Sequence, residues 1–329
     1  MWTALLDDAR LAPSPHNTQP WQLHVLSDSE AELYAVADRT LPTTDADGAF
    51  MTAGMGIFVE ALDVAAAARG LTVEAEPVYP NLGAGGVGSM LFARLRLTER
   101  QGPAEFPLEL LEQRRTARGR YDGRAVAPES LAALERVVTS AGHEVRFTSD
   151  IDTVQWIVGL NADTVFYDLA DDPTRTEIGR WIRTSDREAR ERRDGFSPRC
   201  LGFPGPVVSL FFFRHALFAN RPTRWLLRRI LVRSMRGTAT VGWIEGAWTT
   251  PEEHYQSGRM LMRFWLELTR QGLYLQPFGS VITNATAHAR MTARLEAEER
   301  DTSVWLLLRV GYTAPPPRSL RLATDELVA

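Results

Sequence analysis

Two short stretches of the chain concentrate groups able to do chemistry. The first is Ala12-Pro13-Ser14-Pro15-His16-Asn17-Thr18-Gln19-Pro20-Trp21, a turn dense in polar side chains and backbone donors and closed by an aromatic. A turn of this kind can set Ser and Asn side chains against a planar heterocycle. The second is Arg114-Arg115-Thr116-Ala117-Arg118-Gly119-Arg120-Tyr121, with four arginines and a threonine within seven residues. The guanidinium fork matches phosphate oxygens bidentately, so the stretch is a candidate phosphate clamp. Composition alone favours a solvated basic loop, the usual fate of a charge run.

Composition removes several chemistries. All 37 basic residues among the 329 are arginine. A lysine Schiff base and a P-loop lysine over nucleotide phosphates are therefore excluded. Net charge is −4 but unevenly placed: residues 1–113 carry −10 and residues 114–329 carry +6. The overall acidic balance argues against a nucleic-acid partner, and the split puts anion-binding capacity in the second half. The single cysteine, Cys200, allows no internal disulfide, and the first residues lack the basic and apolar regions of a signal peptide, so a cytoplasmic location is expected. No stretch reads as a membrane span.

Three further patterns carry no chemistry. Gly83-Ala84-Gly85-Gly86-Val87-Gly88 matches GxGxxG, but Ser89–Leu97 alternates as a strand where a dinucleotide fold needs a helix. The six histidines show no metal-ligand spacing. The acid pairs Asp171-Asp172, Glu252-Glu253 and Glu298-Glu299 stand at helix boundaries and read as helix-end charges.

The elements around the two stretches follow from periodicity. Trp2–Ala12 reads as a helix stopped by Pro13 and Pro15, and Gln22–Leu26 and Leu33–Ala37 read as strands. Met55–Arg69 is a helix apolar on nearly every side, hence buried. Val73–Val78 and Met90–Leu97 alternate as a strand pair, and 101–107 is the best boundary. Further helices are expected at 129–141, 154–170, 175–193 and 256–271, and strands at 144–148 and 303–310. An internal echo links the halves. Gly56, Phe58, Val59, Leu62, Val64, Gly70 and Leu71 match Gly258, Met260, Leu261, Phe264, Leu266, Gly272 and Leu273 at one offset of 202 residues.

Together these strings resemble the flavin-dependent nitroreductase family, and within it the long Acg-type branch, which looks like two fused nitroreductase units. The similarity extends through Asp38-Arg39-Thr40-Leu41-Pro42, Arg193-Asp194-Gly195, Gly258-Arg259-Met260-Leu261, Gly311-Tyr312 and Pro317-Arg318. The resemblance implies an α+β fold (an α/β/α sandwich) of two related halves forming a single-chain pseudo-dimer. The halves are expected at 1–107 and 108–329, with a lid-like insertion at about 196–255. It further implies one composite FMN site. Arg114, Arg115, Thr116, Arg118 and Arg318, with Arg321 as second choice, would hold the phosphate. Pro13, Ser14, Asn17 and Gln19 belong to the ring-lining turn, and Pro277 and Gly279 to a loop whose amides approach flavin N5. NAD(P)H would be the electron donor and a small conjugated molecule, a nitroaromatic or quinone, the acceptor. No catalytic side chain is assigned, because the flavin carries the chemistry. Two other uses of the same fold stand beside this one: a lid-closed FMN-binding or storage protein, and a specialised biosynthetic flavin dehydrogenase or oxidase. A fused pair has less need of a second copy, so a monomer is expected.

One segment stays ambiguous. Thr223–Arg236 is a basic amphipathic helix, and no acidic residue occurs between Asp194 and Glu245. It reads as a lid over the flavin in preference to an anionic-lipid contact, and is the one candidate for a membrane surface.

Overall fold

Strand order is the same in the two halves of the chain. The structure is a computed structural model that describes residues 1–214, 220–297 and 302–329. The pair Glu298-Glu299 lies outside the described residues. The first half runs α1 (Trp2–Ala9), β1 (Trp21–Val25), β2 (Glu30–Val36), α2 (Ala49–Ala67), β3 (Leu71–Pro77) and β4 (Ser89–Glu99). The second begins with α3 (Glu109–Gln113), α4 (Pro128–Thr139), β5 (Glu144–Thr148) and α5 (Ile151–Ala170). It continues through α6 (Asp172–Arg180), α7 (Asp186–Arg192), α8 (Pro198–Leu201), α9 (Gly205–Phe213) and α10 (Arg221–Ser234). It closes with β6 (Thr240–Gly246), α11 (Pro251–Arg270), β7 (Tyr274–Pro277), α12 (Gly279–Thr283), α13 (Ala285–Leu295) and β8 (Ser303–Gly311). The sheets are ordered β1-β2-β4-β3 and β5-β6-β8-β7, all neighbours antiparallel. Each second strand, β2 and β6, carries one register shift against its partner.

The equivalent helices α2 and α11 lie between the sheets and pack on one another. This explains why α2 is apolar all round: one side meets its own sheet and the other meets α11. By length and composition α2 could cross a membrane, contrary to the expectation that no segment could. It is instead the core helix, with 89% of its apolar window buried. The crossing point is self-complementary. A Cβ on Gly56 would lie 2.1 Å from the Tyr255 carbonyl oxygen, and one on Gly258 would lie 2.0 Å from that of Ala53. Ala53 and Tyr255 are separated by the same 202 residues as the two glycines. Each helix thus meets the other's backbone at the equivalent position, the reciprocal contact of a two-fold dimer, here made within one chain. Glu60 of α2 and Arg259 of α11 add an ion pair at 2.8 Å beside it.

The halves differ most in the connection from first to second strand, and β7 to β8 also carries α12 and α13 where β3 to β4 has no α-helix. Residues 26–29 join β1 to β2, whereas residues 149–239, holding α5–α10, join β5 to β6. The added sequence therefore begins well before 196, and it ends before 255, because Thr240–Gly246 is a fully buried strand of the second sheet. The expected helix 175–193 is broken into α6 and α7, where Trp181, Ile182 and Arg183 turn inward. The glycine-rich decoy is the connection between β3 and β4, with no helix following it. Asp171 and Glu253 do cap α6 and α11.

Candidate functional site

The Pro13–Trp21 turn is built from residues in unusual backbone conformations. His16, Asn17 and Gln19 have φ of 48°, 57° and 53°, a region that costs non-glycine residues about 1–3 kcal/mol each. The surrounding hydrogen bonds hold them there. Ser14 Oγ accepts the Gln19 N–H at 2.9 Å. Asn17 Nδ2 donates to the Gly195 and Leu320 carbonyls, each at 3.1 Å, and its Oδ1 accepts from Arg321 at 2.7 Å. Gln19 Nε2 donates to the Arg193 carbonyl at 3.0 Å, and its Oε1 accepts the Leu322 N–H at 2.8 Å. The Asn17 and Gln19 amides thus tie together three segments distant in sequence: the turn, the Arg193–Gly195 stretch and the C-terminal tail. In this arrangement they position the site and present no free donor to a ligand.

The C-terminal tail also crosses to the first half. Leu23 and the tail exchange bonds, Leu23 N to Leu327 O at 2.8 Å and Ala329 N to Leu23 O at 3.0 Å. Arg39 and Arg183 both reach Asp194, the latter with a Nε–Oδ1 distance of 2.9 Å. Gly195 N then donates to Asn17 O at 3.1 Å.

Docked in this way, Arg318 and Arg321 join the basic stretch around a cavity of about 20 Å³. It is lined by Leu11, Leu111, Arg114, Arg115, Thr116, Arg318, Ser319 and Arg321. Arg114 is 5% exposed, stacks over Trp265 at 4.7 Å, and donates through Nη2 to the Leu11 carbonyl at 3.1 Å. Arg115 donates to the Pro316 carbonyl, and Arg318 to that of Glu112. Among the described residues, none of Arg114, Arg115, Arg118, Arg318 and Arg321 forms an ion pair with a carboxylate. Arg114 Nε and Nη1, Arg115 Nε and Arg321 Nε are buried with no acceptor at all. Burial first, and then mutual repulsion with Arg321, Arg318 and Arg118, holds Arg114 well below the usual arginine range. Burial brings Arg321 down to about 10. Buried cations without counter-charge are costly. Orphaned donors beside one cavity match a phosphate monoester in charge and hydrogen-bonding chemistry.

Thr116 and Leu275 form a bridge, and Ala117 N donates to the Leu275 carbonyl at 3.0 Å. The basic stretch therefore runs beside β7, whose end leads into Pro277 and Gly279. A Cβ on Gly279 would meet nothing within 4 Å, so the backbone there faces open space. Arg118 instead points the other way, over Phe196 at 4.6 Å. It borders a second cavity, of about 370 Å³, between Arg118–Arg120, Leu201 at the end of α8, Phe203 just beyond it, and Ile230 and Arg233 of α10.

Sequence reasoning missed two residues here. Arg309 is fully buried in the middle of β8. It donates to the Ala117 and Gly119 carbonyls at 3.0 and 2.7 Å and to Gln276 Oε1 at 2.8 Å, and stacks over Tyr121 at 4.4 Å. It thus fixes the backbone that carries Arg118. The available signal was a lone arginine in an otherwise apolar strand. His16 was placed in the motif without a role. Its Nδ1 is buried without a partner, its ring lies 5.4 Å from Phe196, and burial pushes its pKa down to about 4, so it is neutral near pH 7.

The fold is nitroreductase-like, with two four-stranded sheets of the same strand order on one chain. The profile of the Nitroreductase family matches residues 1–53. A protein named "Probable NAD(P)H nitroreductase PigM", from Serratia sp., is 26% identical over 305 residues, covering 87% of this chain and 82% of its own. Among solved structures, a "putative nitroreductase" of Anabaena variabilis overlaps 95% of this chain and 88% of its own, at 11% identity and a TM-score of 0.54. The FMN- and NADPH-dependent nitroreductase NfnB of a Sphigopyxis strain covers 67% of this chain at 19% identity and a TM-score of 0.38. The nitroreductase-like fold thus extends along nearly the whole chain.

Proposed function

We propose that the protein is an FMN-dependent oxidoreductase of the nitroreductase type, of the long fused branch, using NAD(P)H to reduce a small conjugated acceptor. The observation that carries this is the cluster of arginines from the 114–118 stretch and the tail, in which Arg114 is buried and Arg114 Nε and Nη1, Arg115 Nε and Arg321 Nε are buried atoms without an acceptor. FMN, when bound, would supply the redox chemistry between nicotinamide and acceptor.

The chain's own residues bind and orient. Arg114, Arg115, Arg318 and Arg321 would neutralise the phosphate, and Thr116 would hydrogen-bond to it. Asn17 and Gln19 hold the tail and the Arg193–Gly195 stretch in place, which leaves the Ser14 hydroxyl and the open Gly279 backbone as groups that would be free to meet the ring system. Arg118 stands between the two cavities, and the larger one has the size to admit the nicotinamide or the acceptor. The test is an anaerobic visible spectrum of the FMN-loaded protein before and after NADH or NADPH. Bleaching by either donor is expected. A flavin that stays yellow with both donors but is bleached by dithionite removes the reductase reading and leaves flavin binding intact. Failure to take up FMN removes both.

A further inference from the structure

The sequence left α10 as either a lid or a lipid contact, and its packing separates the two. Its inner face is fixed: Leu227 is 5% exposed and packs with Leu231 among Phe166, Leu169 and Phe211. Arg228 is clamped to Asp163 of α5 at 2.6 and 3.1 Å. The outer face is uncovered and apolar, with Trp225 58%, Leu226 52% and Ile230 36% exposed. Turning these side chains inward as a lid would break the Arg228–Asp163 pair and expose Leu227. Helical spacing interleaves them with cations. Arg221, Trp225 and Arg229 fall on one i, i+4 row, with Arg233 beside Leu226 and Ile230. The Arg229 guanidinium lies 4.7 Å over the Trp225 ring.

We propose that this face of α10 docks the protein on the surface of an anionic phospholipid bilayer. The argument is charge complementarity combined with exposed apolar area. From residue 195 to 244 the chain carries eight arginines and no acid. A second copy of the chain would bring like charges face to face, so this surface repels itself. A nucleic acid would pair the arginines but leave Trp225, Leu226 and Ile230 against water. A headgroup layer satisfies both: phosphates and anionic headgroups meet the guanidinium groups while Trp225 and Leu226 enter the acyl boundary. Ile230 and Arg233 also line the larger cavity, so the docked face lies beside an opening through which an apolar acceptor could pass from the bilayer.

The test is co-sedimentation of the full chain with vesicles of phosphatidylcholine alone and of phosphatidylcholine with phosphatidylglycerol. Binding to the anionic vesicles only is expected. Each surface arginine contributes roughly fivefold in partitioning, so Arg221→Gln/Arg229→Gln weakens it roughly 30-fold. Trp225→Ala weakens it about tenfold. Both variants keep the wild-type melting temperature and FMN content, because none of these side chains supports the core or the arginine cavity. The proposal is overturned if the protein does not sediment with anionic vesicles, if neutral vesicles bind it equally, or if these substitutions leave sedimentation unchanged. It is also overturned if the protein self-associates through this face without lipid. None of these outcomes depends on turnover, so the redox reading stands or falls separately.

Discussion

Substituting Arg114 by methionine should act in opposite directions on the free and the flavin-loaded protein. In the free protein Arg114 is a buried cation with one hydrogen bond, a stacking contact on Trp265, and no counter-ion among the described residues. Losing that bond costs about 1 kcal/mol and losing the stack about 1 kcal/mol. Removing an uncompensated buried charge returns several kcal/mol. The net expectation is a gain of about 1–3 kcal/mol, or a rise in Tm of roughly 1.5–4 °C for a chain of this size. With the phosphate bound, the same substitution removes a charge-assisted contact worth about 1.5–3 kcal/mol, so FMN affinity should fall roughly 10- to 150-fold. Riboflavin has the ring but no phosphate, and its affinity should not change. The assay is paired: flavin titration with FMN and with riboflavin, and thermal denaturation with and without added inorganic phosphate, which should stabilise the wild type more than the variant. An Arg114→Met protein that loses FMN and riboflavin equally, or that melts earlier without ligand, would refute the assignment of this cluster to a phosphate.

Gly258→Ala should destabilise the chain by about 3 kcal/mol, since its Cβ would meet backbone on the facing helix with no flexible neighbour to yield. Gly56→Ala should cost about as much, and denaturant unfolding of the double variant should show less than the sum, because both open the same crossing. Arg309→Met leaves the Gly119 carbonyl and Gln276 Oε1 without the Arg309 donor and the Ala117 carbonyl with the Tyr121 hydroxyl alone. It should cost about 2–4 kcal/mol and reduce FMN retained through gel filtration. His16 has a folded pKa of about 4 against an ordinary 6.5. Below pH 6.5 the unfolded chain therefore binds a proton that the folded chain refuses, and stability falls as pH drops from 6.5 toward 4, by roughly 3 kcal/mol in all. His16→Asn, which tolerates the positive φ, should flatten that limb of the Tm–pH curve; an unchanged limb would assign the acid sensitivity elsewhere.

Much of this was legible in local patterns. The apolar-all-round helix at 55–69, its echo 202 residues later and the alternating strand pairs reported two buried helices and a repeat, because helix and strand periods are local properties of the chain. The same holds for the caps at Asp171 and Glu253, which need only neighbouring backbone. The APSPHNTQPW turn and the arginine stretch were also visible as candidate site segments. Local pattern did not report the strand at 240–246, whose seven buried residues include Thr240, two glycines and Glu245. Nor did it reveal that the inserted sequence starts at α5.

What the sequence by itself determined, then, is the set of elements, the repeat and the segments that carry charge. What only the tertiary structure decided is what those charges and amides do. Asn17 and Gln19 became ties because Arg193–Gly195 and the tail arrive at the same turn from 174 and 303 residues away. Arg114 became a buried cation without a counter-ion because Trp265, Leu11 and Arg321 close around it. Trp225 and Leu226 became a free surface because Arg228 and Leu227 claimed the opposite face of the helix. A side chain's partners, and so its charge state and availability, are set by contacts between segments remote in sequence, and no local spacing encodes which segments will meet.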